Sequence, residues 1–174
     1  MSVAALRPAA AVFREEQNFA WWVYALLAAL FVSTLAGAVW KGLPLLPSAH
    51  GWWIEVPITL LVGLGLPSLL IVGVLRMTTE VTPTDCRVWF GWLPTYRHVV
   101  LLSAIQRVEV VRYRPLRDCG GWGIRRGRNG ERVLSARGDR GVRLYLADGS
   151  QLLIGSQQPE ELAEALERAM RTVG

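Results

Sequence analysis

The chain has 174 residues, of which 52% are hydrophobic and only 19% charged, with a formal net charge of +5. A globular domain of this size usually carries about 25% charged residues. The shortage is local: three basic and three acidic residues precede position 76, while sixteen arginines and eleven carboxylates lie from position 76 onward, so the whole net charge lies in the second part. Such a division excludes intrinsic disorder, a fibrous repeat, a disulfide-rich scaffold and one uniform fold.

The first part is governed by two uncharged runs. Positions 19–40 hold no charge, and positions 56–75 form a second such run. About 20 apolar residues in a helix suffice to cross a bilayer. The expectation is therefore a transmembrane hairpin over 19–75, with spans at 19–40 and 53–75, an external loop at 41–52 and an N-terminal tail at 1–18. Trp21, Trp22, Trp40, Trp52 and Trp53 sit near the run ends, where indoles favour a membrane interface. Arg7 and Arg14 before the hairpin, and Arg76, Arg87 and Arg97 after it, outweigh Lys41 in the loop. The positive-inside rule then puts both termini in the cytoplasm. Glu55, at the edge of the second run, reads as a headgroup-depth carboxylate rather than an ion site.

From Met77 the texture changes to short alternating segments parted by turn residues. Met77–Val81, Arg87–Trp92, Tyr96–Leu102, Ile105–Tyr113, Trp122–Arg126, Arg132–Ala136, Val142–Leu146 and Gln151–Ile154 read as strands, the last two joined by a hairpin signal at Asp148-Gly149. Pro159-Glu160-Glu161 then opens a helix, with carboxylates at its positive end and an apolar stripe of Leu162, Ala165, Leu166, Ala169 and Met170. About seven strands closed by one amphipathic helix predict an antiparallel barrel or sandwich over 76–174.

This plan resembles the bacterial membrane-anchored PH-like (pleckstrin-homology-like) domain proteins, a group of uncharacterised function. The residues that carry the resemblance are Met77-Thr78-Thr79-Glu80-Val81-Thr82, the run Gly120-Gly121-Trp122-Gly123-Ile124-Arg125, Gly138 to Val142, Asp148-Gly149, and Ile154-Gly155-Ser156 leading into Pro159-Glu160-Glu161-Leu162. It covers residues 77–172 and implies a PH-like barrel held at the bacterial inner (plasma) membrane. It implies little about activity, because such a fold hosts many binding roles.

Catalytic chemistry is thinly represented. His50 and His98 are the only histidines, and Cys86 and Cys119 lack metal-ligand spacing. The glycine run departs from a phosphate loop at Arg126, where a glycine is needed, so it reads as a backbone bend with Trp122 in the core. An enzyme would need Glu109, Asp118 and His98 brought together in one pocket. No catalytic residue, cofactor or metal is expected.

Residues 112–143 hold ten arginines (Arg112, Arg114, Arg117, Arg125, Arg126, Arg128, Arg132, Arg137, Arg140 and Arg143) against Asp118, Glu131 and Asp139. Three readings compete: a solvated face, contact with anionic lipid headgroups, and a surface for a protein or acidic ligand. Nucleic acid is not expected, since no reader motif accompanies the charge. The turn Thr82-Pro83-Thr84-Asp85 lacks the basic cluster of a phosphoinositide pocket. The reading reached is a non-enzymatic, membrane-anchored binding or scaffolding module for a protein partner. Peripheral recognition of anionic lipid by the arginine-rich face is the alternative.

Overall fold

The computed structural model describes residues 11–42, 52–92, 96–127 and 129–173. Strand β1 (Phe13–Asn18) precedes a helix pair, α1 (Trp21–Gly42) and α2 (Trp52–Gly73). Strands β2 (Arg76–Val81), β3 (Asp85–Phe90), β4 (Tyr96–Leu101) and β5 (Ile105–Arg112) follow. A single-turn helix α3 (Pro115–Asp118) leads to β6 (Gly123–Arg126), β7 (Arg132–Ser135), β8 (Arg140–Leu146) and β9 (Gln151–Gly155), and α4 (Pro159–Val173) closes the described chain.

The strands form two open sheets rather than one barrel. Sheet A has the order β1-β2-β3-β4 and sheet B the order β5-β8-β9-β7-β6. That corrects the expectation of a closed, wholly antiparallel PH-like barrel of about seven strands. Two features defeat it. Residues 13–18 add an edge strand from ahead of the helix pair, and β7 pairs with β9 in parallel. The described fold is mixed α/β: an N-terminal helix pair, sheets of four and five strands, and a C-terminal helix.

Alternation decides what each sheet buries. In β3, Cys86, Val88 and Phe90 enter the core, while Arg87 and Trp89 stay partly exposed on the opposite face. Sheet B contributes Leu134, Val142, Leu144, Leu152 and Ile154 to the same core, and α4 lays Leu162, Leu166 and Ala169 across it. Each fully buried leucine contributes roughly 1.5–3 kcal/mol. The outer face of sheet B is covered by the α3 segment, which packs Tyr113 and Cys119 on Val133 and Leu153.

The transmembrane expectation is also corrected. The ends of the uncharged runs belong to the β-structure. Phe19 and Ala20 precede α1; the Phe19 amide donates to the Leu75 carbonyl at 3.3 Å, and its ring lies 6.5 Å from that of Phe90. In the first turn of α1, Trp22 stacks obliquely on Trp122 with centroids 6.4 Å apart, and Tyr24 Oη donates to the Leu75 carbonyl at 2.9 Å. At the other end of the hairpin Leu75 is itself core. Among the described residues no helix is long and apolar enough to cross a membrane. This finding overturns the two spans, the membrane as an integral partner, and the inner-membrane location with its cytoplasmic termini. Both helices do expose large apolar side chains, among them Leu26 and Leu61. They approach each other closely at Gly63, where an added Cβ would collide with the Thr34 side chain. The expected loop at 41–52, with His50, falls largely outside the described residues, as do Arg7, Arg128 and the side chains of Lys41 and Glu55.

A cleft at the open seam between the sheets

The two sheets meet along two seams of different chemistry. At the first, the inward-facing polar residues of β1 are bonded to the chain leaving β9. The buried Glu15 carboxylate accepts from Ser156 Oγ at 2.6 Å and from the Gln157 amide at 2.8 Å. Gln17 Nε2 donates to the Gly155 carbonyl at 2.9 Å. Ser156 Oγ also accepts from the Gln158 amide at 3.0 Å, which organises the turn into α4. This seam is closed.

The second seam is open. Strand β4 pairs with β3 through six consecutive residues without a bulge, and among the described residues no strand pairs with its other side. Beside it lies a cleft of about 470 Å³, lined by His98, Val99 and Leu101 of β4, by Arg126 and Arg132 of β6 and β7, and by the β8–β9 turn. Val99 is 44% exposed and Leu101 57% exposed. The turn is shaped by Gly149, whose φ of +80° suits glycine, and by Asp148, which accepts from the Ser150 amide at 2.9 Å and from its hydroxyl at 2.6 Å.

One contact spans the cleft. Arg132 Nη1 lies 3.4 Å from Tyr96 Oη and 3.4 Å from His98 Nδ1, long donations to two neutral acceptors. The second requires the imidazole to be unprotonated at Nδ1. Burial first, and then the Arg132 guanidinium, hold the His98 pKa below its ordinary value. Near neutral pH the cleft therefore presents a neutral imidazole beside two guanidinium groups.

The ten arginines expected to form one surface are dispersed. Arg112 ends β5 and pairs with Asp139 at 2.7 Å, while Arg140, its cross-strand neighbour on β8, pairs with Glu160 of α4. Arg114 precedes α3 and Arg117 lies within it, and the Arg114 amide donates to Asp118. Arg125 Nε donates to the Trp122 carbonyl at 3.2 Å. Arg137 occupies the loop before β8, and its carbonyl accepts from Gln157 Nε2. Arg143 is part of the packing: Nε and Nη2 reach the buried Glu131 carboxylate at 2.8 and 3.3 Å, an interaction that raises the Arg143 pKa. Among the described arginines only Arg126 and Arg132 line the cleft.

The catalytic grouping that an enzyme would need is not assembled. His98 lines the cleft, Asp118 caps the turn at Arg114, and Glu109 accepts from Tyr145 Oη at 2.7 Å on the outer face of sheet B. Cys86 and Cys119 are both buried, and burial pushes the Cys86 thiol up to about 12, far from a nucleophilic thiolate. Among the described residues no three His, Cys, Asp or Glu side chains gather to hold a metal. The glycine run is a bend, with Gly120, Gly121 and Gly123 all at positive φ. Trp122, expected in the core, is instead half-buried, donating from Nε1 to the Gly138 carbonyl at 3.0 Å.

The open edge of β4 and its cleft were missed by sequence reasoning. The signal available was the string Tyr96-Arg97-His98-Val99-Val100-Leu101, a strand with no proline inside it. Nothing local distinguishes an edge strand from a central one. Comparison of the chain with known proteins finds no family model that matches it and no curated protein that matches it.

Proposed function

We propose that this chain is a non-enzymatic binding module that takes an extended segment of a protein partner along the free edge of β4. The single observation that carries the reading is the unbulged, six-residue edge of sheet A beside a cleft. An unpaired edge presents a row of backbone donors and acceptors, and proteins usually blunt it with proline, a bulge or inward charge. Here only Arg97 supplies charge within the strand, on the outer face. Strand addition would draw affinity from main-chain hydrogen bonds over about 20 Å and specificity from alternate side chains. Those side chains would meet Val99 and Leu101 on one face and His98 on the other, all three lining the cleft.

The test is selection of binding segments from a library of random extended peptides, followed by amide hydrogen exchange on the complex. Bound segments are expected to slow exchange within residues 96–101. The double substitution Val99→Lys and Leu101→Lys is expected to weaken them about tenfold, which corresponds to ~1.4 kcal/mol. Selected binders that protect a different element, or that ignore the double substitution, would refute the reading.

A further inference from the structure

Sheet B carries two pairs of arginines placed directly opposite each other across a ladder, Arg112 with Arg140 and Arg126 with Arg132. Like charges so placed destabilise a sheet unless something neutralises them. The first pair is neutralised within the chain, because Asp139 binds Arg112 and Glu160 binds Arg140. The second pair has no carboxylate partner among the described residues. Arg132 instead spends Nη1 on two neutral acceptors at long distance, and the one acidic side chain lining the cleft, Asp148, is turned to Ser150. The Glu131 carboxylate, next in sequence to Arg132, is held by Arg143.

We propose that the Arg126–Arg132 end of the cleft is an oxyanion site, which takes a carboxylate or phosphoryl group carried by the segment that lies along β4. The source of the anion rests on the strand-addition reading; the site itself does not. Two guanidinium forks on adjacent strands, both lining the cleft, supply charge-assisted donors. Tyr96 and His98 flank them from the facing strand, with Ser150 at the turn. An anion seated there neutralises the uncompensated pair and relieves the strand-to-strand repulsion. It also favours a proton on His98, since the bound charge acts against the neighbouring Arg132.

The chain contains two histidines, so the ring protons of His98 can be followed in the full-length protein by NMR. The probe is inorganic sulfate, whose charge is constant over the range in which histidine titrates, measured against chloride at equal ionic strength. Saturating sulfate is expected to move the His98 titration midpoint upward. By linkage, sulfate is expected to bind more tightly as pH falls through that midpoint. Arg126→Gln is expected to weaken sulfate about tenfold. Arg132→Gln is expected to weaken it similarly and to raise the His98 midpoint even without sulfate. Arg112→Gln, in the neutralised pair, is expected to leave sulfate binding unchanged.

A His98 midpoint that ignores sulfate, or that moves as far in Arg126→Gln as in the native chain, overturns the proposal. An equal loss in Arg112→Gln does so too, because it marks general screening. Sulfate binding with the expected variant pattern supports the site even where no segment pairs with β4, in which case it is the strand-addition reading that falls. Where segments do pair, replacing their acidic residues by alanine is expected to make them indifferent to Arg126→Gln. A neutral segment that still loses tenfold with that variant counts against the oxyanion site while leaving strand addition intact.

Discussion

The seam at β1 and the seam at β4 join the same two sheets with opposite solutions. At β1 the buried Glu15 carboxylate receives two donors from the chain that leaves β9, so both of its oxygens are satisfied internally. At β4 two arginines line the cleft beside a strand edge, and Arg132 reaches only neutral partners at the limit of hydrogen bonding. A buried acid is tolerable only when its lone pairs are filled, and a filled acid holds elements together. Exposed guanidinium groups at a cleft mouth stay hydrated and cost little, so they can wait for a ligand. The first seam is filled from within the chain, and the second is the one proposed to take a ligand.

The largest expected effect breaks the closed seam. Glu15→Ala leaves the Ser156 hydroxyl and the Gln157 amide without their acceptor, and should cost about 3 kcal/mol. Urea unfolding of the full chain measures it, and a loss below ~1 kcal/mol would show that the seam is held by apolar packing alone. Arg143→Ser should be next, at about 2 kcal/mol, because it strands the buried Glu131 carboxylate. It should leave the binding of sulfate intact, separating a structural arginine from those of the cleft.

A smaller effect sharpens the open seam. The His98 pKa lies below its unfolded value, so between the two values the unfolded chain binds more protons. Its contribution to stability is present above the ordinary histidine value and is lost as pH falls through the folded one. Thermal unfolding should therefore show a modest acid-side loss that His98→Gln removes. The smallest effect belongs to Arg112→Gln, whose ion pair is exposed and should change stability by less than ~0.5 kcal/mol.

Much of the local structure is legible in the chain. Strands β2 to β9 fall on the short segments between turn residues, and β3 and β4 show the alternation that a half-buried strand needs. Helix α4 forms where Leu162, Leu166 and Ala169 share a stripe, all three buried. Strand β1 escaped notice because Arg14-Glu15-Glu16-Gln17-Asn18 reads as a polar tail. Its inward residues, Glu15 and Gln17, are polar, and only the distant Gly155 to Gln157 makes their burial acceptable. The arginines show the converse. Ten arginines in one stretch look collective, yet alternation and strand order send them to different faces and different partners.

The cleft illustrates the same division. The sequence by itself determined that the second part is β-rich and arginine-dense and ends in an amphipathic helix, since composition and periodicity are properties of neighbours along the chain. It also placed two apolar runs where α1 and α2 form. Only the tertiary structure decided that those runs begin and end against the sheets, that β4 is an edge, and that Arg126 and Arg132 lack the carboxylates found by Arg112 and Arg140. Strand order, edge status and charge compensation depend on residues far apart in the chain, and no local pattern carries them.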